Sequence, residues 1–477
     1  MYSYFTQSPK PALFLLILFI GLLASRLCHS KILWVEESYP LAAASQMGTG
    51  KALYRDIWFD KPPLLAVFYR LLGAPQGWPL RVADVLYAAL ICILAYRFAG
   101  EVWGVTEARW AAALTAFFLT FDTPSAVIPI ASDLLMVAPH FVAVYLAWRG
   151  RPFWSGVAAG VAFAVHPKGL FVLAACALWS YRSLPALAAG FAAPNLAIAA
   201  WLWSTGSLAP YYEQVWKWGR VYAGSTFVEH PYRNAALRTA AWLGFHASLA
   251  VAAIWFWRTE SGKDHAKWIG WLALSFVAVT IGWRFFPRYF FQILPAMVLL
   301  SARGICLLPR GVCAGLVALA LLVPLVRFGP RYFQLATGEH GWADTAMDRD
   351  SREAAALVRS LAKPSDTLFV WGFRPEVYVY SGLPAASRFL DSQPLTGVPA
   401  DRHLVDSTSL APELAAASRL ELQSIHPTLI LDGLGPYNPR LAITTYPDLA
   451  QWLSGYRVVG RTQATIIYGK LTPADRK

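Results

Sequence analysis

The stretch WVEESYPLAAASQMGTGKALYRDIWFDKPP, residues 34–63, follows closely on an apolar run, ALFLLILFIGLLA at 12–24. It opens with two adjacent glutamates, Glu36 and Glu37, and closes on Asp60-Lys61-Pro62-Pro63. Paired carboxylates and then a lysine, set just beyond a segment suited to lipid, put charged chemistry at a membrane surface. The rest of the chain decides which surface that is.

Of the 477 residues, 57% are hydrophobic and 14% charged, and 21 are Trp; soluble domains carry roughly a quarter charged residues. The apolar residues are gathered in runs about 15 to 22 residues long with short charged or Pro-containing connections, the pattern of membrane-spanning helices. Eleven runs are read, at about 11–28, 80–100, 108–122, 131–148, 153–165, 168–181, 184–203, 237–257, 267–284, 289–304 and 310–328. The fifth and sixth are separated only by His166-Pro167-Lys168, and the alternative is one broken segment. Lys10 ahead of the first run also fits a signal peptide. No Ala-x-Ala-like site follows, however, and Arg26-Leu27 ahead of Cys28 does not suit a lipoprotein cleavage box. In either reading the next segment emerges outside.

Orientation follows from the basic residues of the short connections. Arg97 and Arg109, Arg149 and Arg151, Arg182, Arg258, Lys263 and Lys267, and Arg303 and Arg310 all fall on one side, the cytoplasmic one. The outer side then holds the loops 29–79 and 204–236 and the turns 121–130, 166–168 and 284–288. An odd number of passes leaves the tail outside too. Residues 331–477 carry 15 basic and 15 acidic residues, so the whole net charge of +13 belongs to the first 330. That is a positive-inside signature, and it argues against nucleic-acid binding.

The tail reads as a small α/β domain. SREAAALVRSLA and PELAAASRLELQSI have helical spacing; DTLFVWG, PTLILDGL, YRVVG and ATIIYGK read as strands. No G-x-G-x-x-G follows any of them. The fold class is thus a polytopic α-helical membrane protein of about 11 transmembrane helices with a C-terminal soluble α/β domain, divided as 1–330 and 331–477. The cysteines show no C-x-x-C and the histidines no H-x-x-x-H spacing, so the sequence supports no metal cluster.

The charged residues on the outer side are Glu36, Glu37, Asp60, Lys61, Asp122, Asp133, Lys168, Glu229, His230, Arg233, Arg284 and Arg288. Such a face suits group transfer from a lipid phosphate. A carboxylate takes the proton of an acceptor hydroxyl, and Lys or Arg holds the phosphate that leaves. Glu36 or Glu37 is the candidate base; Lys61, Lys168, Arg233, Arg284 and Arg288 are the candidate phosphate ligands. Structural readings stand beside these: a solvated glutamate pair, Asp133 as an N-cap with Ser132 beside it, 166–168 as a bare hairpin, and Asp-Lys-Pro-Pro as the start of a helix at Pro62.

Taken in order, Glu36-Glu37, Tyr39, the helix Leu41 to Met47, Gly50, Tyr54-Arg55-Asp56 and Lys61-Pro62-Pro63 resemble the first outer loop of the GT-C polytopic glycosyltransferases. The nearest branch is the bacterial one related to protein O-mannosyltransferases and lipid A aminoarabinose transferases. HPKGLF at 166–171, RYFFQILPAMVLL at 288–300 and FVWGFRPEVYVYSGLPAASRF at 369–389 extend the resemblance through most of the chain. Glu36 stands where that family usually has Asp.

The resemblance implies an integral-membrane glycosyltransferase that moves a sugar from a polyprenyl-phosphate donor to an acceptor hydroxyl, inverting the anomeric carbon. The first acid of the pair is the base, and the lysine of Lys-Pro-Pro contacts the carrier phosphate. Tyr39, Tyr54, Asp56, Asp60, Asp133 and His166 are the substrate-side candidates. No cofactor is required; family members differ on metals, and Asp60 or Glu37 would be the residues to assist one. The implied partners are a polyprenyl-phosphate-linked sugar and a lipid, glycan or protein acceptor. The implied place is the bacterial inner membrane, with active site and tail on its outer side. Two other readings are a lipid-carrier flippase or solute transporter, and a catalytically inactive relative.

Overall fold

Each apolar run between 11 and 329 forms a helix or a pair of helices in the structure, a computed structural model that describes residues 9–224, 229–338, 341–399, 401 and 407–471. The chain falls into two compact units. The first comprises Met1–Lys31, Gly77–Ala200 and Val228–His340; the second comprises Ile32–Gln76, Trp201–Phe227 and Gly341–Lys477. The second unit thus gathers the two long connections together with the tail. The division expected at 330/331 falls inside a helix, Arg310–Thr337.

Small residues set the packing of the first unit. A Cβ on Gly156 would lie 2.1 Å from the Leu187 carbonyl oxygen, and one on Gly160 would lie 2.7 Å from that of Phe191. This Gly-x-x-x-Gly pair lets the backbones of Pro152–Val165 and Leu184–Ser204 touch, as small-residue stripes do in lipid. Between them, Gly169 meets the backbone of Phe163, and Cys176 lies against Ser155. The helix Gly169–Ser180 therefore runs antiparallel to the first, while the third runs parallel to it. The chain reverses at 166–168 and again at Tyr181–Ser183. The two short runs on either side of His166 are a hairpin of separate helices, not one broken segment.

Among the described residues, two helical stretches are long and apolar enough to cross a membrane, Trp78–Val102 and Gly169–Ser204; the bent pair Pro231–Phe245 and Ala247–Thr259 is a third where it forms one span. By its packing, Gly169–Ser204 is two antiparallel helices, Gly169–Ser180 and Leu184–Ser204. Shorter apolar helices include Pro11–Leu27, Ser132–Trp148, Pro152–Val165 and Leu294–Leu307.

The single span expected at 237–257 is instead two helices meeting at 89°. His246 sits at the break. Its Nδ1 lies 2.9 Å from the Trp242 carbonyl oxygen, and its Nε2 lies 3.4 Å from Asp122. A buried polar ring inserted at the hydrogen-bond ladder is a recognised cause of such a kink.

In the second unit four strands form one sheet: β1 (Leu368–Trp371), β2 (Leu429–Asp432), β3 (Tyr456–Arg461) and β4 (Ile466–Lys470), in the order β1-β2-β4-β3. β1 and β2 are parallel, with Leu368 opposite Leu429; the other pairs are antiparallel. β1 and β2 are buried along their whole length, which is why they read as unbroken apolar runs. The core is built from Phe369, Trp371, Phe389, Leu422 and Ile430, and is completed by Trp58 and Trp218 from the two loop segments. Those segments are therefore structural parts of this unit.

The helix Ala343–Leu361 packs Ala354, Ala355 and Val358 inward. Its Asp350 holds the buried Arg374 at 2.8 Å, and Glu376 lies 3.3 Å from the same guanidinium. Removing one partner from such a buried pair costs about 3–5 kcal/mol.

Candidate functional site

In the second unit the catalytic candidates sit in the first turn of a helix, Val35–Gly48. Glu37 is fully buried and its Oε1 accepts the Trp34 N–H at 3.0 Å, so its carboxylate closes the helix start in the manner of a capping box. Glu36, one residue before, is half-exposed. Both carboxylates gain from the positive end of the helix dipole, and Glu36 is the less buried of the two.

Tyr39, one turn on, donates its hydroxyl to the Trp58 carbonyl at 2.8 Å and stacks on Phe59 at 5.2 Å. Burial pushes its phenol up, so it stays a neutral donor. Tyr54 is fully buried in the left-handed region at φ 69°, and donates to the Lys61 carbonyl at 2.7 Å. Asp56 accepts the Ala52 N–H at 2.9 Å and takes Arg55 in a fork at 2.9 and 2.8 Å. Tyr54 and Asp56 shape the loop. Its far wall is Gln214, whose amide oxygen accepts the Phe59 N–H and whose NH2 donates to the Tyr54 carbonyl, both at 2.8 Å.

The loop thereby presents Asp60 and Lys61 side by side, 3.0 Å apart, with the lysine side chain 37% exposed and its ammonium 5.5 Å from the Tyr222 ring centre. Pro62 then stops the loop and Pro63 starts the helix Pro63–Leu71, one residue later than the sequence suggests.

Asp391 is a member of this group that sequence reasoning missed. Its Oδ1 accepts the Gln393 N–H at 2.8 Å. Burial, and then the charge of Asp60, push its carboxyl well above the usual range, while Lys61 pulls the other way. A carboxyl so placed favours the protonated form and donates hydrogen bonds. The one available signal was Asp391-x-Gln393-Pro394, a polar residue ahead of a short helix start.

In the first unit Asp133 is the centre of a second group. It lies within the short helix Ser132–Leu135 and not at its N-cap, which is Ala131. Its two oxygens face His166 Nε2 and Arg288 Nε, each at 3.7 Å. His166 Nδ1 accepts the Lys168 backbone N–H at 3.1 Å, so in the neutral ring the proton lies on Nε2, toward Asp133. The segment carrying Asp133 is pinned on both sides, by Arg26 on the Val127 carbonyl at 3.2 Å and by the Tyr87 hydroxyl on the Leu135 carbonyl.

Lys168 is buried, with its ammonium 3.6 Å from the centre of the Tyr289 ring and no hydrogen-bond partner among the described residues. Asp133 and Arg284 are its charged neighbours. Arg284 is buried between Trp283 and Phe285, both at positive φ (52° and 49°). Strained backbone of this kind persists only where surrounding structure holds it. This end therefore gathers Lys168, Arg288 and His166 around one carboxylate, with Arg284 beside Lys168. Arg233, expected among these cations, is exposed at the start of Pro231–Phe245, and the structure does not draw it into the group.

No protein-family profile matches the sequence, and no curated protein does. Among solved structures the chain is similar to ArnT from Cupriavidus metallidurans bound to undecaprenyl phosphate, with a TM-score of 0.62 and 14% identity over 98% of this chain and 99% of that one. It is similar to the apo oligosaccharyltransferase of Archaeoglobus fulgidus, with a TM-score of 0.52 and 13% identity over 92% and 71%. It is also similar to the arabinofuranosyltransferase AftD from Mycobacteria, in its R1389S mutant, with a TM-score of 0.50 and 15% identity over 98% and 42%. The chain has the GT-C fold.

Proposed function

We propose that the chain is an integral-membrane glycosyltransferase of the bacterial inner membrane, with eleven passes. It moves a sugar from a polyprenyl-phosphate donor to an acceptor hydroxyl on the outer side. The observation that carries this reading is the division of labour in the acidic pair: Glu37 is committed to the helix cap, while Glu36 stands half-exposed beside it. The GT-C fold supports it, since the neighbours include ArnT bound to undecaprenyl phosphate and an archaeal oligosaccharyltransferase with dolichol phosphate.

The reaction is one in-line displacement. The acceptor oxygen forms a bond to the anomeric carbon as the bond from that carbon to the phosphate oxygen breaks. The hydroxyl proton goes to Glu36, and the electron pair of the broken bond leaves on the carrier phosphate. Lys61 binds that phosphate, exposed enough to reach it and oriented by Asp60. The other cations named from the sequence, Lys168, Arg284 and Arg288, form a group of their own in the first unit, where Asp133 faces His166 and Arg288. Tyr39, Tyr54 and Asp56 hold the loop. The reading requires no cofactor; Asp60 or Glu37 would be the residues to assist a divalent metal.

Proteoliposomes loaded with a polyprenyl-phosphate sugar test the reading. Transfer that persists in EDTA and releases polyprenyl phosphate supports it. Movement of donor across the bilayer without transfer would replace it with the flippase reading.

A further inference from the structure

Within the second unit a cavity of about 700 Å³ opens behind the loop that carries Asp60 and Lys61. That volume is in the range of pockets that take small organic ligands. Its walls include Trp58 and Trp218, Gln214, the carboxylates of Glu213 and Glu413, and the cations of Lys217 and Arg388. The lining is balanced in charge, two against two. Arg388 is held flat by Glu421 at 2.8 and 2.7 Å, with its guanidinium 5.5 Å from the Trp58 ring centre.

A second observation marks the place. Glu213, Gln214 and Lys217 come from a six-residue π-helix, Tyr212–Lys217, inserted between helical turns. π-turns are rare and recur at functional sites. This one widens the helix where it faces the cavity, and sets Gln214 inward on the Phe59 N–H and the Tyr54 carbonyl.

We propose that this cavity binds a neutral saccharide, the portion of the acceptor glycan behind its reacting hydroxyl. Sugar hydroxyls both donate and accept, which suits a lining with carboxylates, cations and an amide; sugar C–H faces suit the indole walls. A phosphate or nucleotide would meet Glu213 and Glu413, and a purely apolar ligand would cover Gln214, Glu413 and the Glu213–Lys217 ion pair, which is 2.9 Å long. The link to the loop is covalent and short: Trp58 lines the cavity, its carbonyl takes the Tyr39 hydroxyl, and Asp60 and Lys61 follow two and three residues on. The assignment of the sugar as acceptor rests on the glycosyltransferase reading.

The test uses the full chain in detergent on an array of neutral, acidic and phosphorylated oligosaccharides. Ala209, Lys217 and Glu413 are exposed, so their substitution leaves the fold intact. The expected result is retention of neutral oligosaccharides by the parent and by Glu36→Gln, falling about tenfold or more in Ala209→Trp, which sets an indole into the cavity wall, and in Lys217→Met with Glu413→Gln, which removes charge-assisted hydrogen bonds. Retention of no neutral oligosaccharide, preference for charged ones, or equal retention by Ala209→Trp overturns the proposal. Sugar transfer from a polyprenyl-phosphate donor, measured on the same preparations, reports separately. Binding without transfer sinks the glycosyltransferase reading and keeps the saccharide site; transfer with unaltered binding in the cavity variants does the reverse.

Discussion

Glu37 accepts a hydrogen bond from the backbone N–H of Trp34 at 3.0 Å, and so closes the start of the helix that carries Glu36. Glu37→Gln keeps an acceptor oxygen there and is expected to retain both stability and most activity. Glu37→Ala leaves the Trp34 N–H buried without that partner, and should lose about 0.5–2 kcal/mol of stability, the usual size of a lost cap. Thermal unfolding of both variants in detergent checks this. Equal stability of the alanine and glutamine variants would remove the capping role.

Just ahead of that helix, Asp348 accepts the Leu33 N–H at 3.1 Å and pairs with Arg352 at 3.0 Å. Burial raises its carboxyl to about 6 from 3.8, against the pull of Tyr380 and Arg352. A raised acid binds its proton more tightly when folded. Its contribution to stability is therefore fully present below about pH 4 and is lost as pH rises through about 6, an effect of a few kcal/mol at most. The difference in unfolding temperature between the parent and Asp348→Asn should thus shift against the parent between pH 4 and 7. A difference flat over that range would contradict it.

Lys61 is paired with Asp60 yet more than a third exposed. If it holds the carrier phosphate, Lys61→Ala loses a charge-assisted hydrogen bond worth roughly 1.5–3 kcal/mol. Donor use should then weaken about ten- to a hundredfold with folding intact. Unchanged donor affinity, measured by titration in nanodiscs, would transfer the role to another cation.

Lys168 makes the opposite bargain. Its buried ammonium has no hydrogen-bond partner among the described residues, and a buried charge so placed is costly to stability. Lys168→Met should raise the unfolding temperature while weakening donor binding. A variant that is destabilised, with donor binding unchanged, would mark Lys168 as structural.

Much of the fold was legible because burial writes itself into runs. LFVW and LILD are fully buried strands, and the apolar stretches are helices. The break at His246 was hidden, since apolar sequence continues through it and the residue that completes the kink, Asp122, lies far back in the chain. The carboxylates and cations of the long loops and short turns were picked out by sign and position alone. What those properties could not separate was Arg233, exposed, from Arg288, drawn to Asp133. Asp391 was illegible for a related reason: its character comes first from burial and then from Asp60, most of the chain away. The joining of both long loops to the tail likewise rests on Trp58 and Trp218, two core positions among 21 tryptophans.

The central claim is that Glu36 takes the acceptor's proton. The direct measurement is the single-turnover rate of sugar transfer at saturating polyprenyl-phosphate donor, for the parent, Glu36→Gln and Glu36→Asp. Glu36→Gln keeps size and hydrogen bonding but removes the proton sink, so donor binding should persist while the rate falls about 10²- to 10⁴-fold. Glu36→Asp, which keeps a carboxylate one methylene shorter, should keep activity well above the glutamine variant. Transfer by Glu36→Gln at the parental rate would contradict the account.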